Sequence, residues 1–390
     1  MLLGLVLAML FQSHQLFPEF LRTLESTAAK ERAPLVLSFL RGRQTPLVEH
    51  DSLLHFVWYG RADSVFITGA LQSGWRSPER MFKVVCGDSA RSPAFFHRSY
   101  TVPPDSRIEY KLIVDGVYQL DSTNRRVTPP SDFVNSEAVM PKFRMSPLSI
   151  FRPGIPHGTT DTLLFASKDP VIKPRRVRVY LPPGYDRFNG LPVLYVHDGE
   201  SAFRYVFFAN IIDNLIADGQ LPPIIGVFVP SVERNAEYIG MKTPEYISAF
   251  CEELVPLIDR SYRTSRKPER RGVMGISSGG HIALTMAIVR PDRFRCVAGQ
   301  SSTIGPILRT ALAVRRQSTP LPSTMKVWID CGLFDINDGD EYNFPVRNRE
   351  FSEELTRYGI AHKYREVHDG HDWASWRERT PEILRYFFAR

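Results

Sequence analysis

Two hydrophobic rhythms run along this chain, and one gives way to the other near residue 150. Between residues 50 and 140 the apolar positions fall in short runs, at 55–59, 64–68, 95–101, 107–114 and 117–120, with turn residues between them. Such runs predict strands rather than helices, and Asp115-Gly116 between the last two is a hairpin signal, because both residues tolerate positive φ. The expectation is an all-β sandwich over residues 49–142.

After a stretch holding Pro141, Pro147, Pro153, Gly154 and Pro156, read as a linker over 143–160, the second rhythm begins. Apolar runs at 176–181, 193–196, 224–229, 271–276, 297–300, 327–331 and 362–367 are separated mostly by helix-length segments. Strands alternating with helices predict a mostly parallel sheet covered on both faces, over residues 161–390. Residues 1–48 precede both patterns. Their first eleven residues are apolar and read either as the core of an export signal or as the start of a helix continuing through Phe17 to Leu24, which leaves a cytoplasmic and a periplasmic location both open. No other run approaches the ~18 apolar residues of a membrane span.

Composition narrows the function classes. Hydrophobic residues make up 43% and charged residues 23%, so a buried core is affordable and disorder is not indicated. The net charge of +7 is scattered rather than gathered on an arm or a helix face, so no nucleic-acid partner is implied. The four cysteines, Cys86, Cys251, Cys296 and Cys331, have no metal-ligand or disulfide-framework spacing and read as free, mostly buried thiols; no metal or cofactor is expected.

The chemistry is concentrated in one segment. Gly275-Ile276-Ser277-Ser278-Gly279 is a G-x-S-x-G pattern lying between a predicted strand and a predicted helix. A serine at the apex of that tight turn is held in a strained conformation, with glycines where side chains have no room. A serine hydroxyl needs a base and a group to orient it. Both follow in α/β-hydrolase order: Asp335 after one strand, with Asp338 and Asp340 in the same loop, and His371 after the last. His371 is preferred over His368 because it lies further from the strand end and follows Gly370. Oxyanion stabilisation requires backbone N–H groups. Those of Ser278 and of Glu200, or alternatively Gly199, are the candidates. Arg204, Arg234, Arg347 and Arg349 all follow strand ends, the edge where open α/β sheets bind ligands, and could draw an anionic ester there.

The segments VLYVHDGES, IIGVFVPSVERNAEY, EELVPLIDRSY, GISSGGHIALTMAIVRPDRF and VHDGHDWASWR resemble the enterochelin esterase family, within the esterase D, feruloyl esterase and mycolyltransferase group. The resemblance runs from about residue 161 to the C-terminus. It implies an α/β-hydrolase fold, a small-molecule ester substrate, a catalytic core of Ser277 and His371, and a pocket near Arg234 and Glu237. One departure is Gln300-Ser301-Ser302-Thr303-Ile304-Gly305, where siderophore esterases commonly carry aromatic residues, which counts against a tricatechol substrate. VFITGALQSGW and IEYKLIVDGVYQLD resemble family 48 carbohydrate-binding modules and related immunoglobulin-like domains. That likeness implies glycan contact through Trp75 and Tyr118, or simply packing by the two rings. The readings are therefore a serine carboxylic ester hydrolase acting on siderophore esters, a carbohydrate esterase removing feruloyl or acetyl groups, or a glycan-binding protein without activity. The sequence leaves the oligomeric state open.

Overall fold

The computed structural model describes residues 15–389 apart from 90, 129–133 and 341. The expected export signal or helix start at residues 1–11 lies outside the described residues. The chain forms two compact units, Met1–Arg144 with His368–Gly370, and Met145–Val367 with His371–Arg390.

The first unit opens with helices α1 (Phe17–Ser26) and α2 (Arg32–Leu40) and continues as strands β1 (Leu47–Glu49), β2 (Leu53–Gly60), β3 (Val65–Gly69), β4 (Glu79–Arg80), β5 (Phe82–Val85), β6 (Ala94–Thr101), β7 (Arg107–Val114), β8 (Val117–Gln119) and β9 (Ser136–Val139). They make two antiparallel sheets, one in the order β1-β2-β6-β5 and one in the order β4-β3-β7-β8 with β9 also on β7. Asp115 and Gly116, both at positive φ, turn β7 into β8 as their residue types require. Phe56 of β2 meets Tyr110 of β7 edge-on at 4.6 Å, both buried, while Phe17 and Phe20 of α1 are buried with Phe95 of β6.

The second unit is a single eight-stranded mixed sheet with helices on both faces. Its strands are β10 (Thr159–Phe165), β11 (Arg175–Leu181), β12 (Val193–His197), β13 (Ile225–Val229), β14 (Arg271–Ile276), β15 (Cys296–Gln300), β16 (Lys326–Phe334) and, after the short ladder β17 (Asn337–Asp338) and β18 (Tyr342–Asn343), β19 (His362–Gly370). The order is β10-β11-β13-β12-β14-β15-β16-β19. From β13 to β16 the pairing is parallel, whereas β10 and β11 run antiparallel to their neighbours. Strand β10 lies where the proline-rich stretch gives way, and its polar, exposed pattern explains why hydrophobicity alone does not predict it.

The central strands are buried along their whole length, as parallel strands covered on both faces must be. Alternate side chains feed two separate cores. Val193 and Tyr195 of β12 enter a core shared with α6 (Thr243–Ala249), α7 (Val255–Ser261), α8 (Ser278–Val289), α9 (Pro306–Ser318) and α10 (Phe344–Arg357). Leu194 and Val196 enter the opposite one, shared with α3 (Gly199–Tyr205), α4 (Phe208–Ala217) and α11 (Trp373–Phe388). The period of two in a strand makes this partition automatic, and the parallel register sets the C-terminal ends of β12, β14, β15 and β16 in one row. Those ends carry the site. All four cysteines are free and buried.

His197 ends β12 with no exposure, its Nδ1 3.1 Å from the Tyr246 hydroxyl. Burial, reinforced by the charges of Arg175 and Arg234, pushes its pKa down to about 3. Between its unfolded pKa of about 6.5 and about 3, the unfolded chain binds a proton that the native chain refuses, so stability falls as pH falls through that window. Urea titrations of His197→Gln should therefore give a stability slope between pH 6 and pH 4 shallower than wild type by up to about 1.4 kcal/mol per pH unit. Equal slopes would mean that His197 takes up its proton in the native state.

Candidate active site

Ser277 stands between the last residue of β14 and the first of α8 with φ 57° and ψ −123°, a conformation few side-chain-bearing residues adopt. Backbone bonds hold it there, among them one from the His281 N–H to its carbonyl at 3.1 Å. Its N–H donates to the Gln300 carbonyl at 2.9 Å, and its own carbonyl accepts from Gly280 at 3.0 Å and Thr303 at 3.1 Å. The flanking glycines are sterically required. A Cβ on Gly275 would lie 2.1 Å from the Gly279 carbonyl oxygen, and one on Gly279 would press on the Asp198 carboxylate at 3.0 Å. Between Arg271 and Ile288, Ser277 alone is not buried. The turn thus lifts one hydroxyl out of an otherwise closed core.

His371 follows β19 directly, and its Nδ1 lies 2.6 Å from Asp335 Oδ1. Asp335 is 1% exposed and accepts a second bond from the Ile336 N–H at 2.7 Å. A carboxylate accepts only, so the imidazole carries its proton on Nδ1, and Nε2 is left as the acceptor. The Cys331 thiol lies 3.7 Å from Asp335 Oδ2 and is pushed well above its ordinary pKa by burial and by that carboxylate, so it stays a neutral donor. Asp338 and Asp340 are exposed, and His368 pairs with Asp105 at 2.7 Å. Of the alternatives that the sequence left open, only Asp335 and His371 are joined.

Asp198 closes the end of β12 in the left-handed conformation, and α3 starts at Gly199. A Cβ at Gly199 would sit 2.1 Å from the Phe228 carbonyl carbon, which fixes glycine there. The Glu200 side chain points away to Arg178 at 3.0 Å. Any part it takes in oxyanion binding falls to its backbone N–H near the start of α3, as the Ser278 N–H stands at the start of α8.

The four arginines divide. Arg234, at the start of α5 (Arg234–Ile239), clamps Asp198 through Nε at 2.9 Å and Nη2 at 2.7 Å, and Nη2 also reaches the Ile276 carbonyl at 3.4 Å, one residue before Ser277. It lies beside the elbow, with its charge matched by Asp198. Arg347 pairs with Glu350 and Arg349 with Glu366. Arg204 is exposed over the Tyr205 ring. Glu237 departs from the expected substrate contact: it is 0% exposed, with both carboxylate oxygens taken by Arg175, so it braces β11 against α5 instead. Among the described residues no group of three His, Cys, Asp or Glu side chains is placed to hold a metal ion.

Sequence reasoning passed over three neighbours of this site. Asp198 and Trp376 lie in segments that carry the family resemblance but draw no role of their own from it, and Phe344 falls in an amphipathic helix; the Phe344 and Trp376 rings stand 5.1 Å and 4.8 Å from the His371 ring.

Residues 171–387 match the model of the Esterase family, more than half of the 390-residue chain. A Shigella flexneri enterobactin esterase, solved in the presence of enterobactin, superposes with a TM-score of 0.69 at 18% identity, covering 89% of this chain and 97% of that one. That likeness is one of fold. An endo-1,4-beta-xylanase/feruloyl esterase of Xylanibacter ruminicola is 31% identical over 157 residues, which are 37% of this chain and 22% of that protein. An iron(III) enterobactin esterase of Dickeya dadantii is 24% identical over 213 residues, 52% of this chain and 49% of that protein. The chain therefore spans less than half the length of either of these two relatives.

The elbow geometry gives a stability prediction. Gly275→Ala should lower the midpoint of thermal unfolding by several degrees, because its Cβ meets backbone that cannot retreat, whereas Gly154→Ala, with open space around it, should not. Equal melting curves for the two variants would show that the elbow is not the tight turn described.

Proposed function

The chain belongs to the Esterase family, and from that premise we propose that it is a serine carboxylic ester hydrolase in which Ser277 is the nucleophile, His371 the base and Asp335 the group that orients the base. The observation that carries this reading is the 2.6 Å bond from His371 Nδ1 to a fully enclosed Asp335, with Ser277 raised on a strained elbow in the same unit.

The chemistry follows from those groups. Ser277 Oγ attacks the ester carbonyl carbon while its proton passes to His371 Nε2. The positive charge that forms on the imidazole is stabilised by Asp335, which stays ionised. Negative charge on the carbonyl oxygen is met by the Ser278 N–H and by that of Glu200 or Gly199, the starts of α8 and α3 supplying the favourable dipole ends. Collapse of the tetrahedral intermediate breaks the bond to the alcohol, which leaves with the proton from His371. Water, deprotonated by the same Nε2, then hydrolyses the acyl-enzyme.

Two substrate classes divide the support. Siderophore esters of the enterobactin kind are favoured by the fold likeness, which covers 89% of this chain. Feruloyl or acetyl esters of carbohydrates are favoured by the 31% identity to a feruloyl esterase, and by Gln300 to Gly305 lacking the aromatic residues expected of siderophore esterases. We read the two antiparallel sheets of the first unit as an immunoglobulin-like sandwich. For glycan contact there, Tyr118 at 63% exposure is the better-placed ring and Trp75 is half-buried.

Kinetics of site variants test the reading. Ser277→Ala and His371→Ala should each lower kcat by about 10⁴-fold or more, and within about tenfold of each other, because the pair acts as a unit. Asp335→Asn should cost up to about 10⁴-fold, with Asp338→Asn and Asp340→Asn near wild type. A Ser277→Ala enzyme keeping more than a tenth of wild-type turnover would refute the assignment. Turnover of ferric enterobactin against feruloylated and acetylated sugars then decides between the substrate classes.

A further inference from the structure

The bond to Asp335 fixes one nitrogen of the His371 ring and leaves the ring free to tilt about it. Two aromatic rings limit that tilt: Phe344, 5.1 Å away at an interplanar angle of 79°, and Trp376, 4.8 Å away at 87°. Trp376 is 5% exposed and is tied down at both ends. Its indole N–H donates to Ser301 Oγ at 3.0 Å, and its carbonyl accepts from Gln300 Nε2 at 3.1 Å and Thr380 Oγ1 at 2.9 Å.

The acceptor, Ser301, is itself held in a costly position. It has φ 46°, is 0% exposed, and donates its N–H to the Asp330 carbonyl at 2.7 Å. Asp330 is fully enclosed and pairs with the equally buried Arg379 at 2.7 Å, whose other Nη contacts Ser375 Oγ at 3.0 Å and Ser301 Oγ at 3.4 Å. A buried ion pair is seldom retained for stability alone, since apolar replacements often do as well. A non-glycine residue at positive φ, fully buried, is likewise a cost that persists only where its surroundings over-determine it. Here both costs converge on a single hydroxyl, and that hydroxyl holds the indole against the base. The same network touches the nucleophile, because the Gln300 carbonyl accepts the Ser277 N–H at 2.9 Å.

We propose that Trp376 is a positioning residue for His371, and that Ser301 sets it by accepting the indole N–H, with the Asp330–Arg379 pair as the fixed frame behind both. The inference rests on His371 being the base. Trp376 and Ser301 are enclosed, and Trp376 meets the imidazole edge-on, so their contribution falls on the orientation of the base and not on substrate binding. Losing the tether lets the ring lean away from its productive direction, and a misplacement of about 1 Å costs up to about 10²-fold in rate.

The test is a double-mutant cycle on the full chain with p-nitrophenyl acetate, run beside Ser277→Ala and His371→Ala, with thermal melts to confirm that each variant is folded at the assay temperature. Ser301→Ala removes the acceptor, and Trp376→Phe removes the donor while keeping a ring against His371. Each should lower kcat by about tenfold with KM unchanged within about twofold. In the Trp376→Phe background, Ser301→Ala should add less than about twofold, because both changes break the same bond. A more disruptive variant, Trp376→Leu, should lose more than Trp376→Phe at equal folded fraction. The proposal is overturned if Ser301→Ala and Trp376→Phe keep wild-type kcat, if KM rises with kcat unchanged, or if their losses simply multiply. Retained activity in His371→Ala would remove the base itself and the proposal with it, whereas an inactive His371→Ala beside unaffected Ser301 and Trp376 variants would overturn the positioning alone.

Discussion

The strained turn at Ser277 is the constraint on which the rest of the second unit depends. A side chain at φ 57° is tolerated only because Gly275 and Gly279 let strand and helix approach to a distance that any Cβ would forbid. The same closeness brings Asp198 against Gly279, and Arg234 then binds Asp198 and the carbonyl just before the serine. The ends of β12 and β14, the start of α8 and the start of α5 are therefore locked together by one tight turn and one ion pair. The Arg234–Asp198 clamp also lets an arginine sit beside the elbow with its charge matched.

A second line of order runs on the other side of the serine. The Ser277 N–H reaches the end of β15 through Gln300, and Gln300 and Ser301 tie β15 to Trp376 of α11. Ser277 and His371 come from chain positions nearly a hundred residues apart. What brings them into one unit is the sheet order β14-β15-β16-β19, with helices packed on both faces over two opposite cores. Packing, in this sense, is upstream of the chemistry: the sheet places the ends of the strands, and short buried polar links aim the side chains carried there.

The parts of this arrangement that could be read from the sequence were those written in local pattern. The continuous apolar runs of β12 to β15 and the glycines around Ser277 announce themselves, because burial on both faces and a side-chain-free turn each demand particular residue types. The choice of Asp335 over Asp338 and Asp340 was not legible: three acidic residues share one loop, and only the fold buries the first and leaves the others in solvent. Glu237 was assigned toward the substrate by resemblance, yet it is enclosed with Arg175, a partner sixty-two positions away that no local pattern reveals. Strand β10 was missed because an edge strand with exposed, polar positions has no hydrophobic period to detect. Trp376, Ser301 and Arg379 belong to the same class, since their roles lie in long-range contacts between ordinary-looking residues.

The central claim, that Ser277 is a nucleophile activated by His371, is tested most directly by covalent capture. Treating the intact protein with a fluorophosphonate and mapping the modified peptide by mass spectrometry should place one adduct on Ser277, with labelling lost in His371→Ala while that variant remains folded. An adduct on any other residue, or undiminished labelling of Ser277 without His371, would contradict it.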